Sequence, residues 1–221
     1  MGNGSPVRES EFVIFDNDGV LVDTESAANA VLADLLTSYG LPTTVDDSFR
    51  LYLGTSLPYV RSAAERAMGK PIPDSFEIEY HAGLFRKLDQ GLEPIPGVRE
   101  ALQDLGLEFC VASSGSMERI ERTLRQVDLW HHFEGRAFSA ESVGASKPAP
   151  DLFLHAAKKM GVQPSRCIVV EDSPWGIQAA NSAGMTSWGF VYRTPRERLS
   201  EATGGILSSM EELFRVRGST G

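Results

Sequence analysis

Two carboxylates, Asp16 and Asp18, stand one residue apart at the end of the apolar run Phe12-Val13-Ile14-Phe15, and Gly19 follows them. Acids at the C-terminal end of a strand lie at the mouth of an α/β sheet, where ligands bind. Two such groups repel each other unless something positive lies between them. A hard cation such as Mg²⁺ takes oxygen ligands and keeps several waters, so it suits the pair. A carboxylate held against that ion can attack phosphorus and carry a phosphoryl group. The same Asn-Asp-Gly string would also serve as the turn of a hairpin, so the rest of the chain has to decide.

Three further strings bear on the choice. Ser113-Ser114-Gly115-Ser116 ends a second apolar run and precedes a helical pattern. Hydroxyls and free N–H groups at a helix start can hold an anion, although a serine there can equally be a plain cap. Lys147 sits in Ala145-Ser146-Lys147-Pro148-Ala149-Pro150, where the prolines stiffen the loop. Glu171-Asp172 closes the run Cys167-Ile168-Val169-Val170 and is followed by Ser173-Pro174. Asp172 or Ser173 could simply cap the next helix. Two strands that each end in paired acids, however, fit one cation site shared by Asp16, Asp18, Glu171 and Asp172.

These groups need a scaffold that gathers them. The short continuous runs 12–15, 107–112 and 167–170 read as strands buried on both faces of a parallel sheet. Helical spacing follows them, in Ile120-Leu124-Val127, in Leu152 to Met160 closed by Gly161, and in Ile177-Ala180-Ala183 closed by Gly184. This alternation predicts an α/β fold with a doubly wound parallel-sheet core. Residues 25–91 break the alternation. They show helical faces over Ala28–Tyr39 and Val60–Met68, and a third helix is expected over Asp74–Leu88. Such faces must bury against one another, which predicts an inserted helical bundle placed as a lid over the strand ends. The expected division is 8–24 and 92–217 for the core and 25–91 for the bundle.

Composition narrows the partners. The chain of 221 residues carries 21 Lys and Arg against 30 Asp and Glu, a formal net charge of −9. That balance argues against nucleic acid or an anionic membrane as partner. No run reaches the length of a membrane span, and the polar start shows no signal peptide, so the expectation is a cytoplasmic protein, by default a monomer. Cys110 and Cys167 lie inside apolar runs and read as buried reduced thiols. His131-His132 are expected to cap a surface turn, and Trp175 to pack on the core rather than line the entrance.

Asp16-x-Asp18-Gly19-Val20, Ser113, Lys147 and Glu171-Asp172 occur in the order of the four motifs of the haloacid dehalogenase-like superfamily. The chain resembles that superfamily's helical-cap branch, which includes sugar phosphatases and β-phosphoglucomutases. The resemblance implies a Mg²⁺-dependent phosphatase acting on a small phosphorylated metabolite, a sugar phosphate, through an aspartyl-phosphate. It makes Asp16 the nucleophile and Asp18 the acid and base. Ser113 and Lys147 would neutralise the phosphoryl oxygens. The ion would be held by Asp16, the Asp18 main-chain carbonyl and Asp172, with Glu171 acting directly or through water. Substrate contacts would come from Ser114 and Gly115 and from the cap loop Gly54-Thr55-Ser56. Arg50, Tyr59 and Arg61 are further contact candidates.

The cap departs from the mutase pattern. Ala28 stands where mutases carry a histidine, and Leu57 follows Ser56 where they carry an arginine. Hydrolysis is therefore expected over β-phosphoglucomutase-like phosphotransfer. A phospho-receiver would be shorter and lack the insert. A non-catalytic binding module would leave catalytic positions empty, and here they are filled.

Overall fold

The computed structural model describes residues 12–53, 55 and 57–218. They fall into two compact units, one of residues up to Val22 and from Glu93 onward, the other Asp23–Leu92. The first unit is built on six strands, β1 (Phe12–Phe15), β2 (Glu108–Ser113), β3 (Ala137–Ser139), β4 (Cys167–Glu171), β5 (Thr186–Phe190) and β6 (Gly205–Leu207). Their order is β3-β2-β1-β4-β5-β6, and all neighbours are parallel. The chain winds outward from β1 to β3, then returns to the far side of β1 for β4. Strand order thus reverses between β1 and β4, the place where such sheets bind ligands. Every residue of β1 and β4 is buried, which explains why both are unbroken apolar runs.

The second unit holds α1 (Thr24–Ser38), α2 (Val45–Tyr52), α3 (Leu57–Met68) and α4 (Phe76–Asp89). Leu32, Leu36, Tyr52, Val60, Ala64, Ile72 and Phe76 form its core. Three of these helices answer to the expected apolar faces. α2 was not legible in them, because only Ser48 and Tyr52 of its eight residues are buried. Its signal is a capping box, in which Thr44 accepts from the Asp47 amide and the Asp47 side chain returns to Thr44. Ser48 Oγ donates to Asn29 Oδ1 at 2.8 Å, tying α2 to α1 inside the bundle.

Around the sheet lie α5 (Val98–Asp104), α6 (Met117–Gln126), α7 (Trp130–Phe133), α8 (Asp151–Met160) and α9 (Pro174–Ser182). Leu152, Phe153, Ala156 and Ala157 of α8 and Ala179 and Ala180 of α9 pack against Phe12, Ile14, Cys110 and Val169. Cys110 and Cys167 are both free and buried, as expected. His131 and His132 belong to α7 itself, their rings 4.0 Å apart. Among the described residues no helix is long and apolar enough to cross a membrane.

Candidate active site

The parallel register sets Phe15 opposite Val170, so Asp16 and Glu171 leave the sheet side by side, and the Asp16 amide donates to Val170 O at 3.0 Å. Lys147 enters between them from the loop before α8. Its Nζ donates to Asp16 Oδ1 and to Glu171 Oε1, each at 2.6 Å, and to Ala112 O at 3.4 Å. One ammonium therefore joins the ends of β1, β4 and β2 and uses all three of its protons. It also lies 5.0 Å over the Phe153 ring. Burial alone would lower the Lys147 pKa, but the carboxylates of Asp16 and Glu171 hold it above its ordinary value. Burial raises Asp16 to about 7; Lys147 opposes that shift, and the nearby charges of Glu171 and Asp18 add to it.

Asp172 completes a group of three buried acids. One carboxylate oxygen each from Asp16, Glu171 and Asp172 lies within 4.8 Å of the others. Two glycines make that crowding feasible. A Cβ on Gly19, whose φ is +78°, would run into the Asp172 carboxylate, and one on Gly176 would run into the Glu171 carboxylate. Each acid of the second pair is thus pressed against bare backbone. Glu171 Oε2 also accepts from the amide and hydroxyl of Ser173 at 2.7 and 2.8 Å. The donor set is all oxygen and its acids repel one another, which is the environment a hard dication fits. All three could offer an oxygen to such an ion, although the two oxygens of Glu171 also serve Lys147 and Ser173.

The Asp18 side chain takes a separate direction. Its Oδ1 accepts from Arg119 Nη2 at 2.8 Å and its Oδ2 from Ser113 Oγ at 3.3 Å. Ser113 is buried at the end of β2 and accepts in turn from the Gly115 amide at 3.1 Å. Gly115 O accepts from Ser139 Oγ at 2.7 Å, so the end of β3 holds this loop in place. Ser114 is exposed beside it and Gly115 half-buried.

Asp16, Asp18, Ser113, Lys147, Glu171 and Asp172, chosen on type and spacing, therefore meet at one edge of the sheet. Gly54 and Ser56 lie outside the described residues. Thr55 is exposed, and its hydroxyl donates to Tyr52 O at 2.7 Å. Arg61 is taken up by Glu65, Asp74 and the Ile72 carbonyl, and Arg50 by Asp47. Trp175 corrects the expectation of core packing: it stands 58% exposed in the first turn of α9, while Gly176 and Ile177 of that turn are buried. Arg119 and Ser139 escaped the sequence reading. Periodicity places Arg119 on a helix but says nothing of which acid it meets.

A doubly wound sheet carrying acids, a hydroxyl and a lysine at its strand-order reversal defines a phosphoryl-transfer α/β enzyme. The family pattern for haloacid dehalogenase-like hydrolases matches residues 11–184, and the chain belongs to that family. It is 29% identical to the 6-phosphogluconate phosphatase of Escherichia coli, over 94% of this chain and 96% of that one. It is 33% identical to a phosphorylated carbohydrates phosphatase of Thermotoga maritima, over 93% and 97%. A conserved haloacid dehalogenase-like protein from Agrobacterium tumefaciens superposes with a TM-score of 0.85 at 36% identity, covering 92% of this chain and 95% of that one. Membership in this company of phosphatases makes the protein a phosphoric monoester hydrolase.

Proposed function

We propose that the protein removes phosphate from a small sugar phosphate, with Mg²⁺ as cofactor and an aspartyl-phosphate on Asp16 as intermediate. The observation that carries the proposal is the meeting of Asp16, Glu171 and Asp172 at the strand-order reversal, with Lys147 bridging Asp16 and Glu171. The names of the two curated relatives support the substrate class. Asp16 Oδ attacks phosphorus, and the bond from phosphorus to the sugar oxygen breaks. Asp18 gives its proton to that departing oxygen. Asp18, now a carboxylate, takes a proton from water; the oxygen attacks phosphorus, the bond to Asp16 breaks, and inorganic phosphate leaves. One group serves both steps because the first restores its basic form. Lys147 neutralises Asp16 and the phosphoryl oxygens, and the Ser113 hydroxyl, which here donates to Asp18, is the donor offered to those oxygens. Asp16, Asp172 and the Asp18 main-chain carbonyl would hold Mg²⁺, with Glu171 directly or through water, and the ion would add its positive charge to that of Lys147.

The 25–91 insert is proposed to select the substrate, with Gly54, Thr55 and Ser56 as contacts; Thr55→Ala should raise KM more than it lowers kcat. The test of the whole reading is phosphate release from p-nitrophenyl phosphate and from a panel of sugar monophosphates, with and without Mg²⁺. Mg²⁺-dependent turnover that Asp16→Asn abolishes is expected. Undiminished turnover in Asp16→Asn would overturn the assignment.

A further inference from the structure

Asp18 has to serve two proton transfers from one place, yet it stands on a loop with its side chain 22% exposed. A proton donor must lie within hydrogen-bond reach of the departing oxygen. Besides Ser113, one helix supplies what holds it. Arg119, in the first turn of α6, donates to Asp18 Oδ1 at 2.8 Å. One turn later on the same helix, Thr123 Oγ1 accepts from Asn17 Nδ2 at 3.1 Å, and both of those residues are wholly buried. Residues four apart share a helix face. α6 therefore grips two successive residues of the nucleophile loop with two side chains of one face. The helix start is itself anchored. Ser116 caps it by accepting from the Arg119 amide, and Glu141 Oε2 accepts from the Met117 amide at 3.2 Å.

We propose that Arg119 is the positioning residue for Asp18: its guanidinium, steadied by the Thr123–Asn17 contact, fixes the carboxylate where it can serve first the departing oxygen and then the attacking water. The inference rests on the phosphatase reading above. With the two side chains 38% and 22% exposed, the ion pair adds little to stability, since solvent screens partly exposed pairs. Its effect belongs in the kinetics, where a displacement of about 1 Å can cost on the order of 100-fold.

p-Nitrophenyl phosphate separates the two proton transfers. Its departing group is stable as an anion and needs no proton, so the first step proceeds without Asp18 as acid. The second step still needs Asp18 as base. Arg119→Ala, followed by stopped flow with Mg²⁺ present, should release a burst near one p-nitrophenolate per chain. The steady state should then run about 10- to 100-fold slower than wild type, with a lower KM. On a sugar monophosphate the same variant should be slow with no change in burst. Arg119→Lys, which restores the charge without the fork, should recover part of the steady-state rate. A steady state within twofold of wild type, or a burst that shrinks in step with the rate, would overturn the proposal. Should Arg119→Ala fail to fold, Arg119→Gln is read by the same two quantities. Failure of the phosphatase reading looks different: wild type itself would show no Mg²⁺-dependent release.

Discussion

Asp16 is buried among like charges. Burial, with Glu171 and Asp18 close by, raises its folded pKa to about 7 from an ordinary 3.8. A group that binds its proton more tightly when folded costs stability as pH climbs between those two values. Metal-free wild type should therefore lose stability from about pH 4 to pH 7 through this group, and Asp16→Asn should escape that loss. At pH 8 without metal, the variant is expected to melt no lower than wild type in differential scanning calorimetry, while turnover is gone. A melting temperature several degrees below wild type would contradict the assigned burden. The thiols make a second residue-level expectation. Burial pushes Cys167 up to about 11 and Cys110 well above its usual range. Neither should react with an aromatic disulfide reagent at pH 8 in the folded protein, and both should react in denaturant.

At the scale of elements, the loop after β1 passes so close to Asp172 that Gly19 is required there, and the first turn of α9 lies so close to Glu171 that Gly176 is required there. Gly176→Ala should displace the Glu171 carboxylate from Lys147 and Ser173 without touching any group that contacts substrate. The expected result is a folded protein with kcat reduced at least about 10-fold, since a lost orienting contact commonly costs that much; normal kcat would show that Lys147 needs no second anchor. Elements also mark where sequence reading succeeds. β1, β2 and β4 were legible because central strands of a parallel sheet are apolar on both faces. β3 and β6 have three residues each, too few for any pattern. β5 interleaves Thr186, Ser187 and Gly189 with Trp188 and Phe190, and its Ser187 is buried in hydrogen bonds with Asn181 and Thr203. The acids, the serine and the lysine were legible because each sits at a strand end or in a stiffened loop. Arg119 was not, because its importance comes from a contact more than a hundred positions back along the chain, with Asp18.

For the molecule as a whole, a cation bound at this site would link site and stability. Four carboxylates, Asp16, Asp18, Glu171 and Asp172, face Lys147 and Arg119 at one sheet edge. An ion that binds only the folded state stabilises it by mass action, by about 2.7 kcal/mol at a hundredfold excess over its Kd. Added Mg²⁺ should raise the melting temperature of wild type, and Asp172→Asn should lose most of that rise. An equal rise in both proteins would remove Asp172 from the ion's shell.

The winding order of the sheet carries one more consequence. During synthesis β1 emerges first, but one of its two neighbours is β2, which lies beyond the whole helical insert, and the other is β4, later still. A nascent chain released before Asp172 has left the ribosome holds Asp16, the proposed nucleophile, with half of its surroundings missing. Turnover by the proposed mechanism would then wait until the central strand is flanked on both sides, because the last partner to arrive brings Glu171 and Asp172.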